Sequence, residues 1–207
     1  MSLREYAKVL SSKEAVPGGG GAAALVGALG CSLGSMTGEL TSGKKKFADV
    51  EPLVRESITK LCELRDKLME LSEKDAEVFE PLSKAYSLPK DTEEEREYKD
   101  KVMEECLDMA ASVPMEIMRC ACLALEPIKT LSEVGSKLAV SDAGCAASLC
   151  KSAVVSASLN VYINTRYMKD REKAEALNEE TRALVDKACS LADEVTDSVS
   201  AYLESAI

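Results

Sequence analysis

Apolar positions recur along most of this chain at three- and four-residue steps and nowhere alternate over a strand's length. That period predicts helices and no strands. Ser2 to Leu10 reads as a short first helix. Pro17 and the glycines Gly18 to Gly21 break the chain, and a small-residue helix follows from Ala22 to about Lys44. The next helix runs from about Glu51 through Leu71 and on to Tyr86, with Val54, Ile58, Leu61, Leu68 and Met69 on its apolar face. Ser87-Leu88-Pro89-Lys90 is a turn. Asp91 or Thr92 caps a helix that opens on Glu93, Glu94 and Glu95, the charge a helix N-terminus favours. That helix is expected to reach about Leu125, kinked or split at Pro114. A shorter helix is expected over Pro127–Ala139, with its proline in the first turn. Ser141 or Asp142 caps another, which runs to about Tyr167. The last begins near Asp170. Its positions Leu177, Thr181, Leu184, Ala188, Leu191, Val195, Val199 and Tyr202 form a near-heptad seam. Long helices joined by short turns predict an all-α antiparallel bundle, one domain over residues 1–207, around a central glycine-rich helix.

Composition sharpens this reading. The 207 residues include two Phe, six Tyr and no Trp, so the core is built from Leu, Val, Ala, Met and Cys. With 46% apolar and 30% charged residues the chain is globular. A formal charge of -10 repels nucleic acid and anionic membrane, so neither is an expected partner. Eight Cys and no His, with no C-x-x-C pair, argue against zinc; no metal is expected. The thiols read as reduced, buried side chains of a cytoplasmic protein, Cys145 and Cys150 among them.

Nine of the eleven glycines lie between Gly18 and Gly43. Gly30, Gly34 and Gly38 share one helix face, where a second backbone can approach closely. A buried central helix, crossing its twin in a dimer, explains the stripe better than a membrane span, for which it is short and weakly apolar. Gly18 to Gly21 either offer backbone N–H groups to an anion or carbonyl, or simply let the chain pass into the helix.

At this point the residues form a familiar set. Pro17-Gly-Gly-Gly-Gly-Ala-Ala-Ala, Gly27-Ala-Leu-Gly, Leu33-Gly-Ser-Met and Leu40-Thr-Ser-Gly-Lys-Lys come first. Asp75-Ala-Glu-Val-Phe, Leu88-Pro-Lys, Thr92-Glu-Glu-Glu, Ser112-Val-Pro, Ser141-Asp142, and Leu159-Asn-Val-Tyr-Ile-Asn with Arg166 follow in order. Together they resemble the cyclodeaminase domain of formiminotransferase-cyclodeaminase and the free-standing methenyltetrahydrofolate cyclohydrolases, over nearly the whole chain. Two positions depart from that pattern. Gly21 stands where the family usually has Ser, so position 21 brings no hydroxyl, and Ser136 stands where Asn is common.

The resemblance implies an all-helical homodimer or larger oligomer that needs no cofactor and takes a reduced folate as substrate. It implies hydrolysis of 5,10-methenyltetrahydrofolate to 10-formyltetrahydrofolate. The alternative is ammonia elimination from 5-formiminotetrahydrofolate, a step of histidine degradation that usually sits beside a formiminotransferase partner. This chain leaves no room for a formiminotransferase domain, so hydrolysis is the favoured expectation. An inactive helical scaffold is the rival of another class.

The chemistry needs a carboxylate for the cation or the water proton, and donors for the pterin and for developing oxygen charge. Without His, Asp75 is the first candidate; its alternative is a solvated helix charge. Asp142 is the second, and it can equally be a helix cap. Asn160 and Asn164 lie one turn apart and either join helices or read the pterin. Lys44 and Lys45 either neutralise a helix C-terminus or reach the folate, with Lys45 near the reacting nitrogen and Lys44 binding substrate. Gly18, Gly19, Gly20 and Gly21 complete the substrate-binding set.

Overall fold

The computed structural model describes residues 1–205, all helix and turn. Helix α1 spans Leu3–Leu10, and the Ser2 hydroxyl and the Glu5 carboxylate cap it reciprocally. Helix α2 spans Gly19–Glu39, so it begins inside the glycine run and ends five residues before the expected Lys44. Gly43, at φ 74°, turns the chain away in the left-handed conformation that glycine adopts freely. A short 3-10 segment, Lys45–Val50, leads into α3, Glu51–Tyr86. Thr92 caps α4, Glu93–Val134, through a box with Glu95. Helix α5 spans Val140–Tyr167, and Asp170 caps α6, Arg171–Glu204.

Helix α2 lies at the centre, with α3 on one side, α5 on the other and α4 behind, while α6 packs on α5 and α4. Its glycine stripe makes this possible, so the stripe packs on helices of the same chain and not on a twin helix as expected. A Cβ at Gly30 would lie 2.6 Å from Cys150 Sγ, one at Gly34 2.8 Å from Ile128, and one at Gly38 2.5 Å from Ile58. Helices α2 and α5 are each long and apolar enough to cross a membrane, yet half of each is buried inside this bundle. The α6 seam faces inward at Thr181, Ala188, Val195 and Val199, whereas Tyr202 is exposed. Buried Leu61, Leu68, Ile117, Leu125 and Ile128 anchor the main core. A smaller cluster around Leu82, Leu107, Ala110 and Met168 fills one end.

Helix α4 overturns an expectation. It runs unbroken over Glu93–Val134, through both Pro114 and Pro127, so the separate helix over Pro127–Ala139 does not exist; Lys137–Ala139 is a single 3-10 turn. Pro114 has no N–H for the Ala110 carbonyl one turn earlier. Asn164 Nδ2, from α5, donates to that carbonyl at 3.0 Å and replaces the lost bond. A side chain from another helix thus satisfies the carbonyl that Pro114 orphans. The cysteines are all free thiols and five are buried, but Cys145, expected in the core, is exposed.

Candidate active site

The glycine run, Asp75 and the two asparagines meet at one end of the bundle. Gly18, Gly19, Asp75, Asn160 and Asn164 line a cavity of about 230 Å³ with Val16, Phe79 and Pro114. Gly18 precedes α2 in extended conformation and offers no side chain to cap it. The first-turn amides of a helix have no partner within it, and here a carboxylate from α3 supplies one. Gly21 N donates to Asp75 Oδ2 at 2.8 Å. The approach is so close that a Cβ on Gly20 would lie 2.2 Å from Asp75 Oδ1. Glycine at position 20 is therefore a requirement of the carboxylate's placement.

Asp75 is half-buried and, among the described residues, is the one charged residue lining the cavity. Burial raises its pKa above the ordinary carboxylate value, and the Gly21 N–H partly opposes this. A carboxylate held this way is a better proton acceptor than a solvated one and still attracts a cation.

The asparagines present acceptors. Asn160 Nδ2 donates to Ser156 O, and Asn164 Nδ2 to Asn160 O and Ala110 O. Asn164 has both amide N–H groups spent on backbone, so its Oδ1 is what it can offer a ligand, whereas Asn160 keeps one N–H free beside its Oδ1. Both roles foreseen for Asn164 are thus compatible, because it bridges helices with one end of its amide and lines the cavity with the other. The site as a whole combines one carboxylate, two amide oxygens, one free Asn160 N–H and the backbone of Gly18 and Gly19. Among the described residues no three His, Cys, Asp or Glu side chains come together as a metal would need.

Three other candidates lie elsewhere in this chain. Asp142 is in the first turn of α5, eighteen residues or about 27 Å of helix from Asn160. Neither it nor Ser141 caps α5, since Ala139 holds that position. Lys44 and Lys45 follow the far end of α2, which is about 30 Å long. Lys44 Nζ donates to Leu40 O, the helix-terminal role weighed for it. Lys45 is exposed beside Gly43 and Glu51. Helical periodicity gives the face of a residue and not the end of the bundle it serves, so these residues fall outside the Asp75 cavity.

The sequence reading also missed Tyr6 and Ser72. Ser72 Oγ donates to Gly21 O at 2.9 Å, and the buried Tyr6 hydroxyl faces the same glycine. Ser72 sits one turn before Asp75 on α3, a spacing that could have marked it. Tyr6 carries no such signal.

Comparison with known proteins bears on this arrangement. The family model described as Formiminotransferase-cyclodeaminase matches residues 2–183. A protein of Methylorubrum extorquens named methenyltetrahydrofolate cyclohydrolase is 35% identical over 198 residues, 96% of this chain and 95% of that one. The rat formimidoyltransferase-cyclodeaminase is 31% identical over 98% of this chain, which spans 38% of that longer protein. The crystal structure of a Thermotoga maritima protein named formiminotetrahydrofolate cyclodeaminase superposes with TM-score 0.81 at 31% identity, covering 96% of this chain and 97% of that one.

Proposed function

This chain belongs to the formiminotransferase-cyclodeaminase family, and we propose that the Asp75 cavity hydrolyses 5,10-methenyltetrahydrofolate to 10-formyltetrahydrofolate. It is an enzyme of the methenyltetrahydrofolate cyclohydrolase or formiminotetrahydrofolate cyclodeaminase type. One observation carries the choice of site: a single half-buried carboxylate, flanked by amide oxygens and free of cationic side chains, in a cavity of ring size. The methenyl group is a cation spread over N5, carbon and N10, and it suits such a place. Water adds to the carbon, and Asp75 takes one proton from it. The first-turn amides of α2 face the charge that grows on the added oxygen. The C–N5 bond then breaks as N5 gains a proton, and the second water proton leaves to solvent. The asparagine oxygens are suited to the N–H groups of the pterin edge.

Elimination of ammonia from 5-formiminotetrahydrofolate is the second reading. The Thermotoga maritima structure favours it, because a chain of similar extent there bears the cyclodeaminase name. It would place the protein in histidine degradation, supplied by a formiminotransferase partner. The two readings separate in one assay. Under the first, the near-ultraviolet absorbance of methenyltetrahydrofolate falls faster with protein than without it. Under the second, that absorbance rises from formiminotetrahydrofolate and the methenyl compound is left alone. Failure to bind either folate would leave only the helical scaffold.

The cytoplasmic homodimer is part of the same proposal. The outward side of α2 exposes Leu29 and Met36, followed by Leu40 just past its end, with no charge between Gly19 and Gly38. Beside it α5 exposes Val155, Leu159 and Ile163. On a chain of net charge -10, this neutral apolar face is where a second copy can approach without repulsion. In a two-fold pair with antiparallel α2 helices, the lysine run of one copy falls beside the Asp75 cavity of the other. That restores Lys44 and Lys45 to the folate and supplies the cations its glutamate tail requires. Mixing Asp75→Asn chains with Lys45→Ala chains tests this. Half of the resulting dimers are mixed and one of their two sites is intact, so about a quarter of normal turnover should return. No recovery from two inactive chains would sink the shared site.

A further inference from the structure

The Tyr6 hydroxyl is the buried side-chain polar atom that the described structure leaves without a hydrogen-bond partner. A buried hydroxyl in that state is costly, so its position calls for a reason. Packing supplies none. The ring of Tyr6 lines a separate apolar cavity of about 480 Å³ under α1, shared with Val9, Leu25 and Met69, and phenylalanine would fill it as well. The oxygen, however, points inward to the glycine clamp. A Cβ on Gly21 would lie 3.4 Å from the Tyr6 oxygen, 3.1 Å from Ser72 O and 3.6 Å from Ser72 Oγ. Gly21 in turn donates to Asp75 and accepts from Ser72. Phenol, serine and carboxylate therefore surround one residue. The two cavities share Val16 as a wall.

The protein gives Asp75 one hydrogen bond, although a carboxylate has room for several. We propose that Tyr6 is a positioning residue of the Asp75 site, its hydroxyl being the second donor that holds the carboxylate in its working orientation. In the working state that this proposal requires, α1, which has no fully buried residue, settles slightly onto α3 so that the hydroxyl reaches the carboxylate. Burial pushes the phenol's pKa up; the nearby Ser72 hydroxyl, which is committed to Gly21 O and is not in hydrogen-bond geometry with the phenol, opposes this weakly, and the Asp75 charge adds to it. Tyr6 thus stays neutral at ordinary pH and serves as a donor, not as a base. The other titratable groups lining the two cavities are Glu73 and the Met1 amine; α2, α4 and α5 present none there.

This inference deepens the site proposed above, and its decisive test needs no substrate. The Asp75 carboxyl is titrated by carbon NMR in the full chain and in Tyr6→Phe, which keeps the ring and removes the oxygen. The midpoint should move up by about half a pH unit or more in the variant. Turnover of methenyltetrahydrofolate should fall about tenfold with KM within about twofold. In the double variant Tyr6→Phe/Gly21→Ser a new hydroxyl enters the vacated space. It should recover part of both the turnover and the midpoint. An Asp75 midpoint unmoved by Tyr6→Phe overturns the proposal, whatever turnover does, since a loss without that shift is only a loosening of α1. A protein inactive on every folate would still show the shift if Tyr6 acts on Asp75, so the two readings fail separately.

Discussion

Asp75→Asn is expected to lower turnover of 5,10-methenyltetrahydrofolate about a hundredfold or more while the protein stays folded, the usual range for a group that moves a proton. The choice of Asn matters because Asp75 has two duties. Its carboxylate caps α2 through Gly21 N, at 2.8 Å, and its basicity takes the water proton. An Asn side chain keeps an acceptor for Gly21 and loses the base. Asp75→Ala loses both, and the missing cap alone costs about 0.5–2 kcal/mol. Circular dichroism and a thermal melt beside steady-state kinetics distinguish the cases. A folded Asp75→Asn protein that turns over within threefold of normal would place the base elsewhere.

Gly20→Ala should be nearly as damaging to turnover, for a purely geometric reason. The added methyl would sit 2.2 Å from Asp75 Oδ1, 2.6 Å from Cγ and 2.7 Å from Oδ2. No atom pair tolerates this, so the carboxylate swings away. A displacement of about 1 Å at reacting groups can cost a hundredfold in rate. Stability should change little. Alanine gains up to about 1 kcal/mol over glycine in a helix, and the weakened α2 cap loses a similar amount. Gly18→Ala is the matched control, because a Cβ there meets nothing within 4 Å. If Gly20→Ala matches Gly18→Ala in kinetics, the close approach of Asp75 to α2 does not serve the reaction.

Much of the bundle can be read from residue order. The α6 seam, the Thr92–Glu95 box and the length of α3 follow from local patterns, because helix period and capping are local physics. Helix α4 does not. Pro114 argued for a break, yet the helix runs through it, and Asn164 from fifty residues away takes up the carbonyl that the proline orphans. The site divides in the same way. Gly18, Gly19, Asp75, Asn160 and Asn164 share motifs and also share a cavity, and Gly20 and Gly21 pack against the Asp75 carboxylate. Asp142, Lys44 and Lys45 share motifs but lie at the other ends of their helices, since periodicity says nothing of direction along a bundle. Position 21 shows in the sequence that a hydroxyl is missing. Nothing in the sequence shows that one comes to the same spot on Tyr6.

The Asn164 bridge has a consequence for anyone designing an inhibitor. Its amide nitrogen is held by Ala110 and Asn160 carbonyls, so it cannot flip to suit a ligand without orphaning the carbonyl below Pro114. The hydrogen-bond polarity of that wall is thereby locked by the backbone of α4. Compounds with a donor-bearing edge beside a fixed positive charge should bind, and their isosteres with acceptors in place of those donors should be rejected.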